Sequence, residues 1–149
     1  MRILVDADAC PVKGILLETA KKRSLPVIMI TDTSHVLQDG YSQVITVDKG
    51  RDSADFKLIG LLEAGDVVVT QDFGVAAMAL GKGAAALNQN GLIYTSDNID
   101  RLLLERHLNR KVRQGGGRTP NPKKRTARDD EAFSRALEEL LDAGNPGRR

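Results

Sequence analysis

The chain has 149 residues, a formal charge of +2, one cysteine, no tryptophan and only 3% aromatic residues. That length suits one domain with at most a small appendage. The lone Cys10 excludes an internal disulfide and a cysteine-rich zinc site, and no apolar run approaches the roughly 18 residues of a membrane span. With no signal-peptide pattern at its start, the chain is expected to be a cytoplasmic domain whose core is built from Ile, Leu, Val and Ala.

Strand-like and helix-like segments alternate. Residues 2–5 read as a short buried strand, cut off by Asp6 and Asp8. Pro11 suits the first position of a helix, where a missing N–H costs nothing, so a helix is expected over 11–22. Pro26 to Thr31 is a second strand and Val44 to Val47 a third, followed by a helix from Asp52 to Leu62. Asp66 to Thr70 is apolar enough to be a central strand covered on both faces. A short Ala-rich helix spans Phe73 to Leu80. Two weaker strands, Ala84 to Leu87 and Leu92 to Tyr94, flank the turn signal Asn90-Gly91. Asp97, as a helix cap, opens a helix running to about Val112. Gly115-Gly116-Gly117 ends it and opens a linker with Pro120 and Pro122, and a last helix spans Asp129 to Leu141.

This alternation implies an α/β fold: a mainly parallel sheet of four or five strands between helical layers, with the first strand in the middle. The division along the chain is residues 1–113 as the α/β domain, 114–128 as a basic linker, and 129–149 as a C-terminal helix with a frayed tail.

Chemistry concentrates in the acids. Asp6 and Asp8 follow the first strand, and Asp72 follows the fourth. Ligands bind outside the carboxyl ends of such strands. If the extended backbone persists, Asp6 and Asp8 aim together. If strands one and four are neighbours, Asp6, Asp8 and Asp72 converge, and Asp52 or Asp55 approaches from the next helix. Such a set of hard oxygens suits Mg²⁺ or Mn²⁺, which can orient a phosphate and activate water. Lys13, Thr70 and Gln71 are candidates to contact the phosphate. Several acids also have structural explanations. Asp52 can cap a helix with Asp55 in its first turn, Asp72 can cap the helix at Phe73, Asp48 suits a turn, and Asp66 belongs to the opposite end of the sheet. Cys10 reads as a small buried thiol.

Charge is segregated. Residues 1–105 carry ten Lys/Arg against fourteen Asp/Glu, whereas 106–128 hold nine bases and no acid. Arg106, Arg110, Lys111, Arg113, Arg118, Lys123, Lys124 and Arg125 are therefore candidates for contacting a nucleic-acid backbone. The segment lacks aromatic residues for base stacking, so backbone contact rather than base readout is expected.

Asp6-Ala7-Asp8-Ala9-Cys10-Pro11-Val12-Lys13, Asp52-Ser53-Ala54-Asp55, Val69-Thr70-Gln71-Asp72, Tyr94-Thr95, Asn98-Ile99, Arg113, and Asp129 with Phe133 resemble the bacterial YaiI/YqxD family over nearly the whole chain. That family is similar to the PIN-like nucleases. The resemblance implies a PIN-like α/β sandwich and RNA as substrate, with Asp6, Asp55 and Asp72 at the acid positions and Asp8 and Asp52 as added acids. An Asp stands where the PIN helix position usually carries Glu. Three readings follow: a metal-dependent phosphodiesterase with Asp6, Asp8, Asp55 and Asp72 as catalytic acids, an aspartyl-phosphate phosphatase using Asp6 as nucleophile, or a non-catalytic RNA-binding module.

Overall fold

The computed structural model describes residues 1–32, 38–50, 52–116 and 124–144. His35, Arg118 and Lys123 lie outside the described residues. The order is β1 (Ile3–Asp6), a 3₁₀ turn (Ala7–Ala9), α1 (Lys13–Arg23), β2 (Val27–Asp32), β3 (Gln43–Val47), α2 (Ser53–Leu61), β4 (Val67–Val69), α3 (Phe73–Gly81), β5 (Ala85–Leu87), α4 (Ser96–Gln114) and α5 (Ala127–Ala143). The five strands are parallel and ordered β3-β2-β1-β4-β5. β1 is central and pairs with both β2 and β4, so the chain reverses its direction of travel across the sheet between β1 and β4.

Both sheet faces are covered, which is why the strands are apolar runs rather than alternating ones. Ile3 and Val5 point to one face, with Met29, Val67 and Val69, and meet Leu16 and Ala20 of α1 and Phe133, Leu137 and Leu141 of α5. Leu4, Ile28, Ile30 and Val68 point to the other and meet Leu58 of α2, Val75, Ala76 and Ala79 of α3, and Ile99 and Leu102 of α4. Each fully buried Leu or Phe contributes about 1.5–3 kcal/mol, so α5 is part of the core and not an appendage. Arg23 of α1 pairs with Glu138 and Asp142 of α5, the latter at 2.8 Å.

Several local expectations change. Helix α1 starts at Lys13, two residues after Pro11, because Pro11 and Val12 lie in a turn with Val12 at the cap position. The cap of α4 is Thr95, not Asp97. Thr95 Oγ1 accepts from the Asn98 amide at 3.2 Å, and the Asn98 side chain accepts from the Thr95 amide at 2.9 Å. Thr126 and Asp129 form the same reciprocal pair at the start of α5. Leu92 to Tyr94 forms no full strand; only an antiparallel bridge joins Leu87 and Ile93. The turn before it is required: Gly91 has φ of +85°, and a Cβ there would lie 2.5 Å from the Ala132 carbonyl oxygen of α5.

At the amino ends of the strands, Asp66 is 3% exposed and fully engaged. It accepts from the Arg2 amide at 3.1 Å, Arg2 Nη2 at 2.7 Å and the Glu63 amide at 2.9 Å. The structural role expected for it holds.

Candidate acid site at the carboxyl ends of the strands

Asp6 is the last residue of β1, and Thr70-Gln71-Asp72 leave β4 beside it. This is the switch point of the sheet, where neighbouring strands lead their chains to opposite sides and a crevice opens. Helix α2 brings Asp55 in from the side, in its first turn.

Asp6 is half-buried, and its pKa is pushed up to about 6, by burial first and then by the charges of Asp55, Asp8 and Asp72. Asp55 is also raised, by burial and then by Asp72 and Asp52. Asp72 thus acts on both Asp6 and Asp55, and Asp55 on Asp6. Carboxylates so arranged resist being charged together. Tyr94, buried behind the rim, is raised to about 12 by burial and by Asp72. Its hydroxyl donates to the Thr70 carbonyl at 3.1 Å.

The structure differentiates the acids. The alternation needed for Asp6 and Asp8 to aim together stops at Asp6, because residues 7–9 turn as a 3₁₀ helix. Asp8 instead reaches β2, where it accepts from the Thr31 hydroxyl and from the Asp32 amide at 3.0 Å. Asp72 caps α3, accepting from the Val75 amide at 3.1 Å, and its own amide donates to Thr70 Oγ1 at 3.0 Å. Thr70 is 2% exposed, so its hydroxyl braces Asp72. Asp52 occupies the cap position of α2 but makes no capping bond. Its backbone is left-handed, with φ of +64°, a conformation that Asp tolerates better than most residues.

The other candidates separate too. Gln71 is exposed. Together with Asp6, Cys10, Thr70 and Gln89, it lines a small cavity of about 10 Å³. Gln89 Oε1 is buried without a protein hydrogen-bond partner among the described residues. Cys10 is raised by burial, as a packed thiol should be. Lys13, half-buried at the start of α1, is close enough to act on the Cys10 thiol. Arg125 is tied into the fold: it donates to the Gln89 carbonyl and the Asn90 side chain at 2.8 and 2.7 Å, and pairs with Asp130 at 2.7 Å. Arg110, Lys111, Arg113 and Lys124 are exposed. Arg106 Nη1 stands 3.8 Å from Asp72 Oδ1. That contact was hidden in the sequence, although Arg106 repeats the helical spacing of buried Ile99 and Leu102 and so lies on the same side of α4.

Among the described residues, no three His, Cys, Asp or Glu side chains form a ready cage for a metal ion. Mg²⁺ needs no such cage: it keeps several waters and takes one or two carboxylates plus substrate phosphate oxygens. Asp6 and Asp55 are hard-oxygen donors whose charging is opposed by their neighbours. They are the candidates for the one or two carboxylates that such an open site takes. No helix among the described residues is long and apolar enough to cross a membrane.

Residues 4–143 match the family model described as "Uncharacterized BCR, YaiI/YqxD family". The chain is 67% identical over 137 residues to a UPF0178 protein of Ruminiclostridium cellulolyticum, covering 92% of this chain and 90% of that one. A UPF0178 protein of Clostridium acetobutylicum is 49% identical over 146 residues, covering 97% and 99%. Among solved structures, the crystal structure of Rae1 (YacP) from Bacillus subtilis aligns over 96% of this chain and 99% of that one. Its TM-score is 0.44 and its identity 18%, a likeness too distant to carry functional weight.

Proposed function

This chain belongs to the YaiI/YqxD family, and from that premise we propose that the acid rim is the active centre of a divalent-metal-dependent phosphodiesterase acting on RNA. What supports the proposal is that acids from β1, α2 and the β4–α3 connection fall around the switch point of the sheet, where the charges of Asp55, Asp8 and Asp72, after burial, raise Asp6 to about 6. A fold retains such self-repelling charge most readily where a cation uses it.

Asp6, Asp55 and Asp72 are the residues to hold Mg²⁺ or Mn²⁺, with Asp8 and Asp52 adding negative charge around them. A bound divalent ion supplies positive charge for the phosphate as its own charge develops, and a lowered pKa for water. The chain's residues position the reactants. Tyr94 and Thr70 brace the β4 end and so aim Asp72, and Thr31 fixes the 3₁₀ turn behind Asp6. Gln71 and Lys13 are the residues to meet the phosphate, and the basic residues of α4 those to attract the strand.

The test is cleavage of a single-stranded RNA with Mn²⁺. Loss of at least a hundredfold in Asp6→Asn protein is expected, and cleavage that survives that change sinks the proposal. A second reading, a non-catalytic RNA-binding module, is favoured by the lack of a ready metal cage among the described residues and by the structural bonds of Asp8 and Asp72. Calorimetry separates the two readings: the absence of Mn²⁺ binding at millimolar concentration selects the binding module.

A further inference from the structure

Helix α4 is anchored at its start and exposed over its second half. Ile99 and Leu102 are buried, whereas every residue from Leu104 to Gly116 is exposed. Helical spacing carries the anchored face onward to Arg106, Asn109, Arg110 and Arg113. With Phe73 and Glu105, these residues line a groove of about 340 Å³. The apolar residues Leu104, Leu108 and Val112 sit on the opposite side of the helix by the same spacing, and Lys111 does not line the groove.

The groove has a direction. Its inner end is Arg106, 3.8 Å from Asp72, together with Phe73, the residue that follows Asp72. Its outer end is Arg113. Among the described lining residues Glu105 is the one acid, and it pairs with Arg101 at 3.0 Å, so the described lining is positive. A rise of 1.5 Å per residue sets Arg110 about 6 Å and Arg113 about 10.5 Å beyond Arg106. A single row of guanidinium groups at these steps suits successive phosphates of one splayed strand, each able to take a forked pair of hydrogen bonds. It does not suit the two backbones of a duplex. The Phe73 ring is held edge-on to Tyr94, with centroids 6.0 Å apart, and offers a fixed aromatic surface for a base. Asn109 both donates and accepts, as a ribose 2′-hydroxyl requires.

We infer that this groove is the strand-binding track of the protein: it takes single-stranded RNA, two to three consecutive phosphates lying along Arg106, Arg110 and Arg113, and leads the strand to Asp72. The direction of the strand rests on the phosphodiesterase reading; the binding needs no metal. The track narrows the basic segment to one face of α4 and leaves Arg125 to the fold.

The experiment is fluorescence anisotropy of a short unstructured RNA on the full chain in EDTA, beside the same sequence as DNA and as duplex RNA. Single-stranded RNA binds tightest. Arg110→Gln and Arg113→Gln each weaken it about three- to tenfold. Each also makes the log–log salt slope shallower by about 0.7, from near −2 to near −1.4. Lys22→Gln, a loss of equal charge on α1 across the sheet, changes neither. Both arginines are exposed, and circular dichroism checks that each variant folds like the wild type. The inference is overturned if wild-type protein binds no RNA, if the arginine variants bind like wild type, or if duplex RNA or DNA binds as well as the single strand. Binding that persists while cleavage fails removes the phosphodiesterase reading and leaves the track. Asp6-dependent cleavage indifferent to Arg110 and Arg113 does the reverse.

Discussion

Asp66 and Asp6 stand at opposite ends of neighbouring strands in the same sheet, and the fold treats them in opposite ways. Asp66 is buried, and every nearby group donates to it: two amides and the guanidinium of Arg2. Asp6 is surrounded by other acids, and its charging is opposed. The first arrangement satisfies a buried charge, which otherwise costs several kcal/mol. The second crowds negative charge around Asp6 at the place where α/β sheets bind ligands. A carboxylate at the rim of this sheet is therefore scaffold or site according to what faces it, not according to its own residue type.

The largest test breaks the satisfied end. Asp66→Asn removes the ion pair and leaves Arg2 without its buried partner, which should cost about 3 kcal/mol, read as a lower urea midpoint. Mn²⁺ binding at the other rim of the folded variant should be unchanged. The next test adds a divalent cation to the acid rim. Mn²⁺ at a hundredfold excess over its dissociation constant should stabilise the wild-type protein by about 2.7 kcal/mol, seen as a rise in melting temperature. Asp6→Asn and Asp55→Asn should each reduce that rise. A melting temperature indifferent to millimolar Mn²⁺ would place the two rims on an equal footing and remove the site.

A third test asks which side of the comparison Asp8 belongs to. Thr31→Val deletes the buried hydroxyl that Asp8 accepts from and should cost about 1.5 kcal/mol, the range for a hydrogen bond to a charged group. If Asp8 serves mainly to hold the 3₁₀ turn, stability falls while Mn²⁺ affinity changes little. The smallest effect concerns pH without metal. Asp6 has a folded pKa of about 6 against roughly 3.9 unfolded, so the native state holds the extra proton between these values. Its contribution is fully present below about pH 4 and is lost as pH rises through about 6. Asp6→Asn should therefore be more stable than wild type at pH 8, by about 1 kcal/mol once solvent screening of this half-exposed group is allowed for. It should match wild type near pH 4. Thermal melts at the two pH values check the sign.

Much of this was legible along the chain. The apolar runs of β1, β2 and β4 can be recognised because a parallel sheet covered on both faces has no polar side to show. Asp6 stands out because a carboxylate directly after such a run needs a partner. Local competition between caps was less legible. Thr95 with Asn98 outcompetes Asp97 because two reciprocal hydrogen bonds form there, and no propensity for a single residue encodes that pair. The departure of Asp8 toward β2 was not legible either, since it depends on a 3₁₀ turn and on Thr31, well along the chain.

By itself, then, the sequence determined the five strands and five α-helices of the described residues, though not the failure of Leu92 to Tyr94 to form a sixth strand. It also determined that an acid ends β1 and another follows β4, and that positive charge collects from Arg106 onward. These are local patterns of hydrophobicity and charge, set within a few residues of one another. The tertiary structure alone decided that β1 and β4 are neighbours, that Asp55 joins them from α2, that Arg106 meets Asp72, and that Arg125 is spent on the fold. Those outcomes come from strand pairing and from the packing of helices across two sheet faces. Such contacts join residues far apart in the chain, where no periodicity reaches.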